Sequence, residues 1–241
     1  MTSDARAARI AAIFALPPAI AAGVIAWVVG GAVAAVIVFV VLAVALAAWA
    51  RYAGERAVDR GLRQLGSRPA DPVADARLCN LVDGLSMSAG LAPPRLEVVD
   101  SDGLNALAAG GRSGRGVLAV TTGLLRGLEL IELEAAVAEM LVQIRRGEVV
   151  PATMTVATFG LGRSLAVPRE RDALADQAGV TLTRYPPALA AALEKLEEKG
   201  TEVPGSPASM AHLWLADPRR NDHRDAGRLP LRERIEALRE L

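Results

Sequence analysis

A long stretch near the start of the chain is free of charged residues. Ile10 to Ala50 contains no Asp, Glu, Lys or Arg, and this stretch is about twice the ~20 residues that one helix needs to cross a bilayer. The adjacent Gly30 and Gly31 are weak helix formers that permit a tight reversal. The pattern therefore predicts two transmembrane helices, 10–29 and 32–50, joined as a hairpin.

A cleaved signal peptide is the alternative interpretation, since Ala48-Trp49-Ala50 is similar to a cleavage site, but the apolar core is far longer than the usual ~7–15 residues.

Basic residues flank the apolar stretch on both sides and are missing from its Gly-Gly turn. The flanking residues are Arg6, Arg9, Arg51, Arg56 and Arg60. By the positive-inside rule, both flanks and everything that follows lie in the cytoplasm.

The remainder alternates helical and strand patterns, which predicts a mostly helical α+β fold. We divide it into a juxtamembrane helix and linker, 51–74, and a cytoplasmic domain, 75–241. Asp71 is placed as the N-cap of the domain's first helix, and further helices are predicted at 130–146, 168–178, 187–199 and 230–241. The segment 149–165 has the length of a membrane span, but its Pro and Gly content argues against one.

Three short β-prone runs separated by glycine-rich turns predict a small antiparallel sheet. They are Leu96–Val99, Leu104–Ala108 and Val117–Thr121.

The 27 basic and 27 acidic residues balance, and aromatic residues make up only 3%. The chain therefore has neither the basic excess nor the stacking groups typical of a nucleic-acid-binding protein. The lone Cys79 cannot form an intramolecular disulfide, and we interpret it as a buried hydrophobe.

The segment Glu139-Met140-Leu141-Val142-Gln143 lies in the helix predicted at 130–146, where an H-E-x-x-H zinc motif would be expected. That motif places two imidazoles one helical turn apart to hold zinc, and its Glu acts as general base on the metal-bound water. Neither imidazole nor base is present here, and Met140 is interpreted as a core residue.

Several segments, in order, resemble the HtpX-like membrane zinc metallopeptidases, relatives of the CAAX prenyl proteases. The similar segments are Pro94–Val98, Asn105–Gly110, Val120–Leu125, Glu132–Ala135, Arg169–Asp176, Leu189–Lys195 and Leu231–Leu238. The resemblance covers about residues 75–241. It implies a zincin-like (gluzincin) domain in a protein of the bacterial inner membrane, which is the cell membrane. In the family the second of two membrane hairpins often follows the metal helix, and here it is reduced to 149–165.

The departures from the family fall on the zinc chemistry. Glu139 and Gln143 occupy the two His positions, Met140 the general-base position and Asp172 the position of the third ligand, and Asp217 replaces the His of a Thr-His-Pro segment. These oxygen donors would make a poor zinc site, so no metal and no other cofactor is expected. His212 and His223 lack ligand spacing and are interpreted as exposed or capping residues.

Two buried carboxylates repel each other unless a cation or a proton intervenes. We therefore predict an arginine near Glu139 and Asp172, with Arg234, Arg169 and Arg171 as candidates; the alternative is that Glu139 and Gln143 face a solvated cleft.

The leading functional hypothesis is a degenerate member of the family: a membrane-anchored pseudopeptidase that acts as a binding, scaffold or regulatory subunit. Because family members bind substrate by strand addition, a peptide-binding edge is predicted at Asn105, Ala106, Val117, Ala119 and Thr121. The expected partners are the lipid bilayer and another membrane protein or peptide segment, and not nucleic acid. The alternatives are an active metalloendopeptidase with an oxygen-ligated metal, and a structural subunit of a membrane complex.

Overall fold

The fold is that of a computed structural model, which describes residues 3–110, 116–158, 167–168, 170–219 and 229–241. A membrane-type helical hairpin, α1, precedes a domain in which helices surround a small sheet. Among the described residues, the other α-helices are α2 (Ala76–Ala89), α3 (Thr122–Gly127), α4 (Leu130–Arg145), α5 (Val149–Val156), α6 (Arg171–Thr183), α7 (Pro186–Lys199) and α8 (Leu231–Arg239). A 3-10 helix covers Ala208–Leu213.

Helix α1, Ser3–Gln64, reverses direction at Gly31, whose φ of 78° and ψ of −177° are not helical. A left-handed φ of this size favours glycine, which explains the reversal at the second glycine of the pair. The two arms, Ala5–Val28 and Gly30–Gln64, are both long and apolar enough to cross a membrane. They pack against each other near the turn, where a Cβ on Gly23 would lie 3.5 Å from Cβ of Phe39. The prediction of two long apolar helices joined at the glycine pair is confirmed, and both are candidate membrane spans.

The sheet contains four strands in the order β1-β2-β4-β3. The strands are β1 (Arg68–Pro69), β2 (Arg95–Val99), β3 (Ala106–Ala109) and β4 (Val117–Thr121). Strands β1 and β2 pair antiparallel, as do β3 and β4, but β2 and β4 are parallel. The expected antiparallel sheet is therefore corrected to a mixed one, because β3 lies outside β4 and β4 returns alongside β2.

The segment between α1 and α2 contains more structure than the predicted linker. Arg68 and Pro69 form the edge strand β1. The carboxylate of Asp71 accepts the backbone N–H groups of Val73 and Ala74, each at 2.8 Å, but it caps a turn and not the helix. Helix α2 begins at Ala76, so the N-cap is Asp75.

Helix α4 runs through the middle of the main hydrophobic core. The largest buried cluster joins its apolar residues with those of α2, the sheet, α7 and α8, including Leu133, Leu141 and Leu193. Helix α5 follows α4 after Gly147, whose φ is 67°, and packs against α1. With eight residues, α5 is about 12 Å long and cannot cross a bilayer. The rest of the 149–165 segment lies outside the described residues from position 159 onward.

Candidate functional site

The degenerate motif lies in the buried second half of α4. A capping box starts this helix: the carboxylate of Glu132 accepts the backbone N–H of Glu129 at 2.7 Å, and the Glu129 side chain accepts the backbone N–H at position 132 in return. Glu139 is 0% exposed, Met140 1% and Gln143 2%. These values exclude the solvated cleft that was the alternative for Glu139 and Gln143. Met140 is a core residue, as its position in an apolar helix predicts.

Helix α6 brings two more carboxylates to α4. Asp172 and Asp176 are one helical turn apart, and both are buried. The two helices approach closely because Gly179 has no side chain. A Cβ on Gly179 would lie 2.9 Å from Cα of Glu139.

Arg234 of α8 pairs with Asp176 and also approaches Glu139. Its guanidinium donates to both carboxylate oxygens of Asp176, at 2.6 and 2.8 Å, and to the carbonyl oxygen of Leu215 at 2.9 Å. Its Nη2 lies 3.3 Å from Oε1 of Glu139. Burial disfavours the charged guanidinium, but Asp176, Glu139 and Asp172 together outweigh that effect and raise the pKa of Arg234. This arginine is therefore a permanent buried cation.

A second arginine approaches the motif through Gln143. The Gln143 amide donates to Oε1 of Glu139 at 3.1 Å, and its amide oxygen accepts a hydrogen bond from Arg171. Arg171 also donates to the backbone carbonyl oxygen of His212 at 2.7 Å. We call the group Glu139, Gln143, Arg171, Asp172, Asp176 and Arg234 the buried polar cluster.

The structure places the other predicted site residues elsewhere. His212 was expected to be exposed or to cap a helix, but the structure shows that it is buried. It is 1% exposed, and its Nε2 lies 3.1 Å from Oγ1 of Thr155 and 2.9 Å from the carbonyl oxygen of Ala152. Asp217 forms an ion pair with Arg219 at 2.6 Å. Arg169 and His223 lie outside the described residues.

The predicted peptide-binding edge is corrected by the strand order. Val117, Ala119 and Thr121 belong to β4, an interior strand that is paired on both sides. The edge strand next to β4 is β3, and another segment of the chain covers the start of β3. The backbone N–H of Leu215 donates to the carbonyl oxygen of Ala106 at 2.7 Å. The Asn105 amide holds Ala216 by two further hydrogen bonds, of 2.9 and 3.2 Å.

Sequence reasoning named Arg234, Arg171 and the three motif positions, but it missed Asp176 as a member of the buried polar cluster and the contact of Arg171 with Gln143. Asp176, the closest partner of Arg234, entered the sequence analysis only as the last residue of the segment Arg169–Asp176. The hydrogen bond between Gln143 and Arg171 joins residues 28 positions apart. Only the burial of polar side chains on an apolar helix could have indicated it.

The residues at this site do not fit a zinc ion. Zinc sites are built from imidazole, thiolate and carboxylate ligands. Here the Glu139 carboxylate faces the guanidinium of Arg234. The amide oxygen of Gln143 accepts a hydrogen bond from the guanidinium of Arg171. Within the described ranges, no group of three or more His, Cys, Asp or Glu side chains is arranged to hold a metal.

Comparison with known proteins identifies the scaffold. No family model matches the chain, but curated relatives do. A "Protease HtpX homolog" of Acidiphilium cryptum (strain JF-5) is 32% identical, over 80% of this chain and 82% of that protein. A "Protease HtpX homolog" of Tropheryma whipplei (strain Twist) is also 32% identical, over 64% of this chain and 67% of that protein. The homolog of Dictyoglomus thermophilum is 29% identical, over 67% of this chain and 68% of that protein.

Together with these relatives, the mostly helical α+β fold and the two N-terminal apolar helices indicate a protein of a membrane metallopeptidase family. The chain belongs to the HtpX-like protease family.

Proposed function

We propose that this protein is a membrane-anchored pseudopeptidase: it keeps the HtpX-like scaffold, does not hydrolyse peptides, and acts as a binding, scaffold or regulatory subunit. The observation that carries the proposal is the guanidinium of Arg234, 3.3 Å from the Glu139 carboxylate that stands at a zinc-ligand position.

The electrostatics of the cluster support the proposed loss of the metal. Zinc binding at Glu139 would bring a divalent cation close to a guanidinium that is itself fixed by Asp176. At short range in a buried site, repulsion between these cations is weakly screened. Gln143 is an uncharged amide that is already hydrogen-bonded to Glu139 and Arg171, so it adds no negative charge that would attract a metal ion.

Asp176 and Arg234 lie in two of the segments that resemble the family. What differs here is that a carboxylate, Glu139, shares the guanidinium. In the proposed pseudopeptidase Arg234 compensates the charge that replaces an imidazole.

The position of the general base supports the proposal independently. Peptide hydrolysis requires a group that removes a proton from the attacking water. Met140 stands at that position, and a thioether cannot accept the proton. Its side chain is also 1% exposed and packs in the core.

We further propose that the domain lies in the cytoplasm and that its partner is another membrane protein or a peptide segment of one. The basic residues that flank the hairpin support this side of the membrane. Strand addition at Asn105 and Ala106 would require displacement of Trp214–Ala216, and Trp214 is 1% exposed. We therefore place partner recognition on other surfaces of the protein.

The test is metal analysis and casein cleavage on the full chain purified from membranes without chelators. We expect substoichiometric metal and no cleavage, with or without added zinc. A variant carrying Glu139→His, Met140→Glu, Gln143→His and Asp172→Glu is the matched comparison, and the Acidiphilium cryptum homolog is the positive control for cleavage. Stoichiometric metal together with chelator-sensitive cleavage by the unmodified chain would instead establish an active, oxygen-ligated metalloendopeptidase.

A further inference from the structure

The level of the membrane surface is marked on α1 by its own side chains. Trp49 and Tyr52, at the end of the uncharged stretch that closes at Ala50, are 59% and 47% exposed. Arg56 lies over the Tyr52 ring at 4.7 Å, and Arg51 is exposed between the two aromatic residues. Amphipathic aromatic rings and arginines are enriched where a membrane helix meets the headgroups. The boundary of the hydrocarbon therefore falls close to Ala50.

Helix α5 packs against α1 at this same level. Met154 forms a buried cluster with Ile10 and Ala50, the residues at the two ends of the apolar stretch. One turn further along α1, a Cβ on Gly54 would lie 2.5 Å from the carbonyl oxygen of Thr153. Four helical residues correspond to about 6 Å, which is close to the thickness of one headgroup layer.

The composition of α5 suits that position. The sequence Val149–Val156 contains no charged residue. Its last neighbours, Ala157 and Thr158, are partly exposed. At eight residues the helix is too short to span a bilayer. All of its residues except Val150 are buried in the protein, so contact with lipid at this end of the domain would be made through Val150, Ala157 and Thr158.

We propose that α5 lies at the lipid headgroup level, so that the end of the domain formed by α5 and the adjoining part of α1 is a membrane-contacting surface. The proposal rests on the membrane hairpin and not on the loss of catalysis, so it stands whether or not the cluster holds a metal.

This position brings the buried polar cluster close to the bilayer. Thr155 and the carbonyl oxygen of Ala152, both on α5, contact Nε2 of His212. The backbone carbonyl oxygen of His212 accepts from Arg171, which donates to Gln143. Two residues, His212 and Arg171, therefore connect α5 to Gln143 of the degenerate motif. A membrane-embedded partner could reach this end of the domain without leaving the bilayer.

Spin-label accessibility in lipid vesicles tests the proposal. The full chain, in a Cys79→Ala background, would carry single cysteines at Ala157 or Thr158 and be reconstituted in phosphatidylethanolamine and phosphatidylglycerol. Val41→Cys, in the second arm, is the reference for the hydrocarbon, and Met87→Cys, 81% exposed on α2, is the reference for water. Collision with oxygen and with a water-soluble nickel chelate gives the depth of each label.

We expect the labels at 157 and 158 to give depth values between the two references, with nickel accessibility clearly below that at position 87. Values equal to those at position 87 would overturn the proposal, because α5 would then be in water. Values equal to those at position 41 would also overturn it, because the segment would then enter the hydrocarbon. The circular dichroism of each variant is compared with that of the parent, so that a misfolded variant is recognised and replaced by the label at the other position.

Discussion

Arg234 is the residue on which the buried charges depend, because it is the cation that contacts both Asp176 and Glu139. Arg234→Met keeps much of the side-chain volume but leaves these carboxylates buried without it. Breaking a buried ion pair from one side typically costs about 3–5 kcal/mol. We expect a loss of that size in the free energy of unfolding, measured by denaturant titration in detergent micelles.

The matched control is Arg232→Met on the same helix, where the arginine is 81% exposed and pairs with Glu197 at 2.7 Å. We expect this change to leave unfolding nearly unaffected, since exposed ion pairs contribute little. The pKa of Arg234 is raised, so its stabilisation is present below its ordinary pKa and is lost only as the pH rises through the raised value. The difference between the two variants should therefore persist from neutral to mildly alkaline pH, and equal stabilities would contradict the assignment of Arg234.

At the scale of elements, the packing of α6 on α4 depends on Gly179. A methyl group at this position would meet the backbone of Glu139 at 2.9 Å, so Gly179→Ala should push the helices apart and strain the cluster. Overpacking of this kind usually costs about 1–3 kcal/mol. Thermal unfolding followed by circular dichroism measures the effect as a lower Tm.

Gly84→Ala provides the opposite case. Gly84 lies inside α2, and a Cβ there meets nothing within 4 Å. Alanine is the better helix former by about 1 kcal/mol, so we expect the Tm to rise slightly. If Gly84→Ala lowered the Tm as much as Gly179→Ala, the loss at Gly179 could not be assigned to the close approach of α4 and α6.

The elements differ in how far the sequence predicts them. Uninterrupted apolar composition and a glycine pair specify the hairpin, and periodicity specifies α4 and α7, because these signals are local. The parallel pairing of β2 with β4 is set by residues some twenty positions apart in the chain, and β1 has only two residues. The cluster behaves likewise: the motif positions on α4 are visible in sequence, whereas the contacts of Gln143 with Arg171 and of Asp176 with Arg234 arise from how three helices pack.

At the scale of the whole molecule, the side of the membrane on which the domain lies can be read from its single cysteine. Cys79 is partly exposed on α2, and burial together with nearby carboxylates raises the pKa of its thiol. Since the thiolate is the reactive form, labelling should be slow at neutral pH and faster at mildly alkaline pH. If the domain is cytoplasmic, a membrane-impermeant maleimide should not label Cys79 in intact spheroplasts and should label it after lysis.

The control is Val33→Cys in a Cys79→Ala background. Val33 lies beside the hairpin turn and is 74% exposed. A cysteine there should show the reverse accessibility and react in intact spheroplasts. Labelling of Cys79 before lysis, with protection at position 33, would place the domain on the opposite side and contradict the assignment made from the flanking arginines.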